Sequence, residues 1–184
     1  MKVAFLDRDG VINEEVNYLH KVRDFKYTYK CISALKIIQN IGYEIIIVTN
    51  QAGIAKGVFS ETEYQNLTSW LVSDLLSQGV YVKDIFYCPH HPEGKISGYG
   101  VKCKCRKPSP GMILKAKDKY NLNLQDSLLV GDKVSDVEAA IRAGLGKYYL
   151  VESGHPIANK ISYDENILKR DLYHVATSLK AKSR

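Results

Sequence analysis

Met1-Lys2-Val3-Ala4-Phe5-Leu6-Asp7-Arg8-Asp9-Gly10 opens the chain, and the fold follows from how these ten residues are read. A short apolar, β-prone run ends on two carboxylates one residue apart, followed by glycine. In an extended backbone residues i and i+2 point the same way, so Asp7 and Asp9 aim at one spot and Arg8 faces away. Gly10 lets the chain turn sharply without a Cβ penalty. Two acids at the carboxyl end of a buried strand make a place for a divalent cation, beside which one of them can act as a nucleophile. Asp-Gly is also ordinary turn chemistry after an edge strand. The choice between these readings depends on what other strands bring to the same place.

The rest of the chain is strand and helix in alternation. Tyr27 to Ile41 carries a helical stripe of Cys31, Leu35, Ile38 and Ile41, closed by Gly42. Tyr43 to Thr49 is apolar throughout, as a strand covered on both faces should be, and ends on Asn50-Gln51-Ala52-Gly53. Ser60 and Glu63 form a capping box for a helix to about Ser77, whose buried side should hold Leu67, Trp70, Leu71, Leu75 and Leu76. Asp84 to Tyr87 is a short third strand. Ser109-Pro110 predicts an N-cap and first helical residue for a helix to Tyr120. Ser127 to Val130 is a fourth strand ending at Gly131-Asp132-Lys133, and Ser135 with Glu138 predicts a second capping box, with Gly144 closing that helix. Lys147 to Val151 is a fifth strand, and an amphipathic helix from about Asn166 ends in the basic KAKSR tail.

This alternation predicts an α/β, doubly wound parallel sheet of Rossmann-like type. Right-handed crossovers place the strands' carboxyl ends along one rim, where such sheets bind ligands. The rim gathers Asp7, Asp9, Thr49, Asn50 and Asp132 from three strands, which independent turns would not produce. Acids with few histidines favour a hard cation, and Mg²⁺ held by carboxylates, water and substrate phosphate is the usual arrangement. There is no Walker A sequence. A threonine hydroxyl, backbone amides and Lys107 supply what phosphoryl transfer needs beyond an in-line nucleophile.

The 184 residues, of which 45% are hydrophobic and 25% charged, fit one domain with a sizeable core, spanning residues 1–184. The net charge of +6 suits an anionic ligand, but the lysines are scattered outside the tail. No apolar run approaches membrane-spanning length, so the expected location is cytoplasmic, with no membrane partner. Four cysteines in that setting are thiols or metal ligands rather than disulfides.

In its motifs the chain resembles the haloacid-dehalogenase-superfamily phosphatases, and within them the D-glycero-D-manno-heptose 1,7-bisphosphate 7-phosphatases, close to the histidinol-phosphate phosphatases. Asp7-Arg8-Asp9-Gly10-Val11-Ile12-Asn13 matches the first motif, and Val48-Thr49-Asn50-Gln51 with Gly53-Ile54 and Gly57 the second. Cys103-Lys104-Cys105-Arg106-Lys107-Pro108 with Pro110-Gly111-Met112 matches the third, and Gly131-Asp132-Lys133 with Asp136 the fourth. The resemblance implies a Mg²⁺-dependent phosphatase without a large cap domain, acting on a sugar bisphosphate in nucleotide-activated heptose (lipopolysaccharide or surface glycan) synthesis. It makes Asp7 the nucleophile and Asp9 the acid and base. Thr49 and Asn50 would hold the transferring phosphate, and Lys107 would neutralise it. Mg²⁺ would lie on Asp7, Asp9 (through its carbonyl) and Asp132. Those roles require an ionised Asp7 and a raised pKa at Asp9. The Glu14–Phe25 connection and Arg106 are expected to recognise substrate, and Ala52 stands where many relatives have a serine.

Cys88-Pro89-His90-His91 and Cys103-Lys104-Cys105 supply three thiolates and an imidazole, a set suited to tetrahedral Zn²⁺. The resembled family binds structural zinc with ligands matching Cys88, His90, Cys103 and Cys105, with His91 the alternative to His90. Cys31 reads as core. His20, His155 and His174 show no partners in sequence and read as structural or exposed. Histidinol-phosphate phosphatase and polynucleotide 3′-phosphatase are the rival activities. A zinc-stabilised nucleic-acid-binding module is the rival class, and the lack of a basic stripe opposes it. The expected partner is a small sugar phosphate, with no nucleic acid, and the chain is expected to be a monomer.

Overall fold

The computed structural model describes residues 1–156 and 166–182. Six parallel strands form one sheet: β1 (Lys2–Leu6), β2 (Tyr43–Asn50), β3 (Val82–Cys88), β4 (Leu128–Gly131), β5 (Lys147–Val151) and β6 (Leu168–Lys169). Their order across the sheet is β3-β2-β1-β4-β5-β6. The order reverses between β1 and β4, which pair Ala4 with Leu128 and Leu6 with Val130. A crevice opens beyond the strand ends at such a point.

Among the described residues six α-helices flank the sheet: α1 (Cys31–Asn40), α2 (Ala52–Lys56), α3 (Glu61–Ser77), α4 (Gly111–Tyr120), α5 (Val134–Ala143) and α6 (Leu172–Lys182). Strand side chains alternate between two cores. Ala4, Leu6, Ile45, Ile47 and Val130 pack with α1, α3 and α6, whereas Val3, Phe5, Ile46, Val48 and Leu129 pack with α4 and α5. This two-sided burial explains the unbroken apolar strands, each fully buried aliphatic side chain contributing about 1.5–3 kcal/mol. No large cap domain interrupts the alternation among the described residues.

Several local expectations shift. α1 begins at Cys31 rather than Tyr27, because Tyr27 bridges to Asn13 and the Thr28 hydroxyl donates to the Val11 carbonyl at 2.6 Å. Trp70 is only half-buried, edge-on to Phe25 at 5.0 Å, and Leu76 is exposed. Pro110, not Ser109, occupies the N-cap of α4, and Gly111 N–H instead bonds Lys104 of the cysteine loop at 3.1 Å. The start of α5 is fastened by Asp136, whose Oδ2 accepts from Lys133 N at 3.0 Å, rather than by Ser135 and Glu138. The segment after Asn166 first adds β6 to the sheet and only then turns into α6. The end of the KAKSR tail, residues 183–184, lies outside the described residues.

Candidate active site

Asp7 lies just past the end of β1, and its Oδ1 accepts from the Arg8 backbone N–H at 2.8 Å. Arg8 does leave the cleft, but its guanidinium curls back under Asp9. It donates through Nη2 at 2.9 and 3.0 Å to the two carboxylate oxygens and through Nε at 3.2 Å. Asn13 and Gln51 complete the grip on Asp9, donating at 3.0 and 3.1 Å. Arg8 is 2% exposed, packs over Tyr64, and also donates to the Leu19 carbonyl at 3.2 Å. Neither this buried arginine nor the bridging amide of Gln51 was legible as part of the site, since each partner comes from a different turn of chain.

Lys107 reaches in from the third motif. Its Nζ lies 3.1 Å from Asp7 and 2.5 Å from Asp136, and donates to the Val48 carbonyl at 2.7 Å. The side-chain amide of Asn50 pairs with the Lys107 backbone in both directions, at 3.1 and 3.0 Å. Thr49 is buried with its Oγ1 accepting from Gln51 at 2.9 Å, which leaves the hydroxyl proton to donate elsewhere. Three strand ends and the loop after β3 therefore bring Asp7, Asp9, Thr49, Asn50, Lys107 and Asp132 to one crevice, and α5 adds Asp136.

Asp132 lies against the backbones of two glycines. A Cβ on Gly10, whose φ is +80°, would stand 2.5 Å from Asp132 Oδ2, and one on Gly154 would stand 2.1 Å away. The backbone N–H and Nδ1 of His155 lie 3.0 and 2.7 Å from that same Oδ2. Its other oxygen, Oδ1, is buried with no protein partner. A buried carboxylate oxygen left without a hydrogen bond is costly unless a cation takes it. Ligand atoms of Asp7, Asp132 and Asp136 lie within 4.8 Å of one another, and since Lys107 and the Lys133 N–H already engage both oxygens of Asp136, Asp7 and Asp132 are the carboxylates left to a cation. Such oxygen ligands fit a hard divalent ion. His155, expected to be structural or exposed, thus belongs to the site.

The charges settle unevenly. Burial raises Asp7 to about 6 against the opposing pull of Lys107, with the repulsion of Asp136 and Asp9 adding to the rise. Burial would also raise Asp9, but the Arg8 charge and the Asn13, Arg8 and Gln51 hydrogen bonds overrule it and hold Asp9 below its usual range. Without bound ligand, therefore, Asp7 is the raised acid and Asp9 the lowered one, opposite to the directions their expected roles require. Burial opposes the charge on Lys107, yet Asp136 and Asp7 keep it protonated. Burial, and then Asp7, raises Asp132.

Asp7, Asp9, Asn50, Lys107, Asp136 and His155 line a cavity of about 480 Å³. Glu15, Asn17 and Tyr18 of the long first connection form one wall, with Tyr18 in the left-handed region at φ 66°. Lys56, His91 and Arg106 form another. Burial, then the charges of Arg106 and Lys56, depress the His91 imidazole. Lys56 Nζ meets the Tyr18 hydroxyl at 3.1 Å, and Arg106 donates to the His90 carbonyl at 3.3 Å. Ala52 lines the cavity without offering a hydroxyl.

Behind the Arg106 wall, Cys88, His90, Cys103 and Cys105 converge. The sulfurs lie 3.1–3.4 Å apart, and His90 Nδ1 lies 3.4 and 3.7 Å from Cys105 and Cys88. Four ligands at zinc distances span edges of about 3.8 Å, so the set fits a tetrahedral ion. His91 turns its Nδ1 to the Glu93 N–H at 3.1 Å and faces the cavity instead. The loop is fastened elsewhere by Glu61, which accepts from the Tyr87 and Tyr99 hydroxyls at 2.5 and 2.6 Å. Cys31 is buried in the core. His20 stacks on Phe59 and His174 pairs with Asp171, both away from the cavity.

Comparison with known proteins agrees with this geometry. Residues 104–180 match the family described as HAD-hydrolase-like. The chain is 54% identical over 176 residues to the D-glycero-alpha-D-manno-heptose-1,7-bisphosphate 7-phosphatase of Photorhabdus laumondii, covering 96% of this chain and 95% of that one. It is 38% identical over 177 residues to the beta-anomer enzyme of the same bacterium, covering 96% and 94%. The crystal structure of D,D-heptose 1,7-bisphosphate phosphatase from B. bronchiseptica, complexed with magnesium and phosphate, superimposes with a TM-score of 0.82 at 30% identity over 99% of each chain. No described helix is long and apolar enough to cross a membrane. Sequence similarity along nearly the whole chain and a shared fold lead to one assignment: the chain belongs to the haloacid-dehalogenase phosphatases, in the heptose 1,7-bisphosphate 7-phosphatase family.

Proposed function

We propose that this protein is a single-domain, Mg²⁺-dependent phosphatase that removes the 7-phosphate of D-glycero-D-manno-heptose 1,7-bisphosphate, and that it favours the α anomer. The observation that carries the anomer is the comparison within one bacterium: 54% identity to its alpha enzyme against 38% to its beta enzyme. The wall of Lys56, His91 and Arg106 supports a second phosphate, since two permanent cations face the cavity with no carboxylate at ion-pair distance among the described residues. Such charge is stabilised by an anion.

In this mechanism an Asp7 carboxylate oxygen attacks phosphorus and the bond to the C7 oxygen breaks, leaving an aspartyl phosphate. Asp9 delivers its proton to the departing alkoxide. Asp9 then takes a proton from water, which attacks phosphorus and returns Asp7 with release of inorganic phosphate. Substrate is what makes Asp9 an acid, because a phosphate dianion arriving beside it adds like charge and raises its pKa against the pull of Arg8. Lys107 and the Thr49 hydroxyl neutralise and orient the phosphoryl oxygens. Asp7, the Asp9 carbonyl and Asp132 would hold Mg²⁺, which lowers Asp7 and offsets charge on the phosphoryl group. Cys88, His90, Cys103 and Cys105 would hold Zn²⁺ as a closed structural site.

The test is phosphate release from both anomers of the bisphosphate, from histidinol phosphate and from 3′-phosphorylated DNA, with phosphorus NMR of the product. The expected result is a higher kcat/KM for the α anomer and a surviving 1-phosphate. Preference for the β anomer overturns the anomer assignment, and preference for histidinol phosphate or DNA overturns the substrate.

A further inference from the structure

We infer that His155, on the loop after β5, is a positioning residue that fixes Asp132 in the orientation a divalent cation needs. The inference rests on Asp132 being a ligand of that cation. Asp132 follows β4, and a lone carboxylate at a strand end has two torsions free to turn. Here neither is free. The backbones of Gly10 and Gly154 lie so close to the carboxylate that no side chain fits at either position. The backbone N–H and Nδ1 of His155 both engage Oδ2, at 3.0 and 2.7 Å. With one oxygen held twice, the buried Oδ1 is the atom left to face the site.

The loop that carries His155 is itself tied to the first motif. The Ser153 hydroxyl donates to the Gly10 carbonyl at 2.6 Å, so the β1 turn, Asp132 and the β5 loop move as one block. Glu15 stands 3.7 Å from His155 Nδ1 on the cavity side, and restrains the imidazole from turning away. The His155 side chain is 40% exposed. Its contribution therefore lies in the bond to Asp132 rather than in holding up the fold. An outer partner that orients a metal ligand is typically worth about 10–100-fold in metal affinity.

The experiment measures Mn²⁺ binding by loss of the free-ion electron paramagnetic signal, with the cysteine cluster saturated with zinc. Wild type, His155→Ala, His155→Asn and Asp132→Asn are compared, with melting curves of each without Mn²⁺. His155→Ala should bind Mn²⁺ about 10–100-fold more weakly with an unchanged melting temperature. His155→Asn, whose amide can stand where Nδ1 stood, should recover most of the affinity. In turnover, His155→Ala should need more Mg²⁺ yet approach the wild-type kcat when saturated. Wild-type Mn²⁺ affinity in His155→Ala overturns the inference, as does an Asn variant no better than Ala. A drop in melting temperature that tracks the lost affinity also overturns it, by showing a structural role. If Asp132→Asn itself binds Mn²⁺ normally, the underlying assignment of Asp132 fails, a result distinct from failure of His155 alone.

Discussion

The side-chain amide of Asn50 and the backbone of Lys107 form a reciprocal pair, Nδ2 to carbonyl at 3.1 Å and N–H to Oδ1 at 3.0 Å. Two motifs 57 residues apart are thus joined much like adjacent strands. Asn50 was expected to hold phosphate. In the structure its amide is committed to the backbone of Lys107, which fixes where that lysine projects. Asn50→Ala should leave buried backbone groups unpaired and let Lys107 drift, costing about 10²-fold in kcat. The loss should be alike for sugar and aryl phosphates. A loss confined to KM would show that Asn50 acts on substrate instead.

Asp7→Asn should be inactive and, without metal, more stable than wild type at neutral pH. The folded-state pKa of Asp7 is raised from 3.8 to about 6, so the folded protein holds a proton that the unfolded chain gives up. Its carboxylate is therefore destabilising above pH 6, and that penalty fades as pH falls from about 6 towards 4. Melting curves across pH 4–8 should show the variant's advantage at the upper end, and Mg²⁺ should shrink it. A metal-free variant less stable than wild type at pH 7 would contradict the raised value.

Asp9→Asn keeps the nucleophile and loses proton delivery, a step worth about 10²–10⁴-fold. The loss should be smaller for an aryl phosphate, whose leaving group needs no proton, than for a sugar phosphate. Equal losses for the two would leave Asp9 with no acid role.

Lys56→Ala should raise KM for the bisphosphate about 10-fold or more, the value of one charge-assisted hydrogen bond, with little change in kcat. For a monophosphate lacking the second anion, KM should barely move. Equal effects on both substrates would remove Lys56 from recognition of the far phosphate.

Cys105→Ser should lower activity while leaving most of the sheet folded, because Cys105 immediately precedes Arg106 and Lys107. Metal analysis of the wild type should find about one zinc per chain, retained when Mg²⁺ is dialysed away. A fully active, zinc-free Cys105→Ser protein would mean that the thiols hold no metal.

Much of this site was legible because its chemistry sits at strand ends. Period-two geometry aims Asp7 and Asp9 together, and the long apolar run of β2 announces a strand that must end near them. The cysteine cluster was legible by composition, since three thiols and an imidazole gather in one stretch from Cys88 to Cys105. What escaped was side-chain direction and long-range pairing. Nothing in the sequence says that Arg8 turns back under its neighbour Asp9, nor that Gln51 reaches across to Asp9. The two residues of β6 are too few to show a period, and only pairing with β5 defines them. His155 looked unremarkable because its partner is 23 positions away.

Asp136 serves two structures with its two oxygens: Oδ2 accepts from the Lys133 N–H that begins α5, and Oδ1 neutralises Lys107. Fraying of that first helical turn and loss of the lysine's counter-charge are consequently a single event. Amide hydrogen exchange at the head of α5 becomes a gauge of the electrostatic state of the crevice. Selection for a tighter or looser helix end cannot act there without also retuning the charge that meets the phosphate.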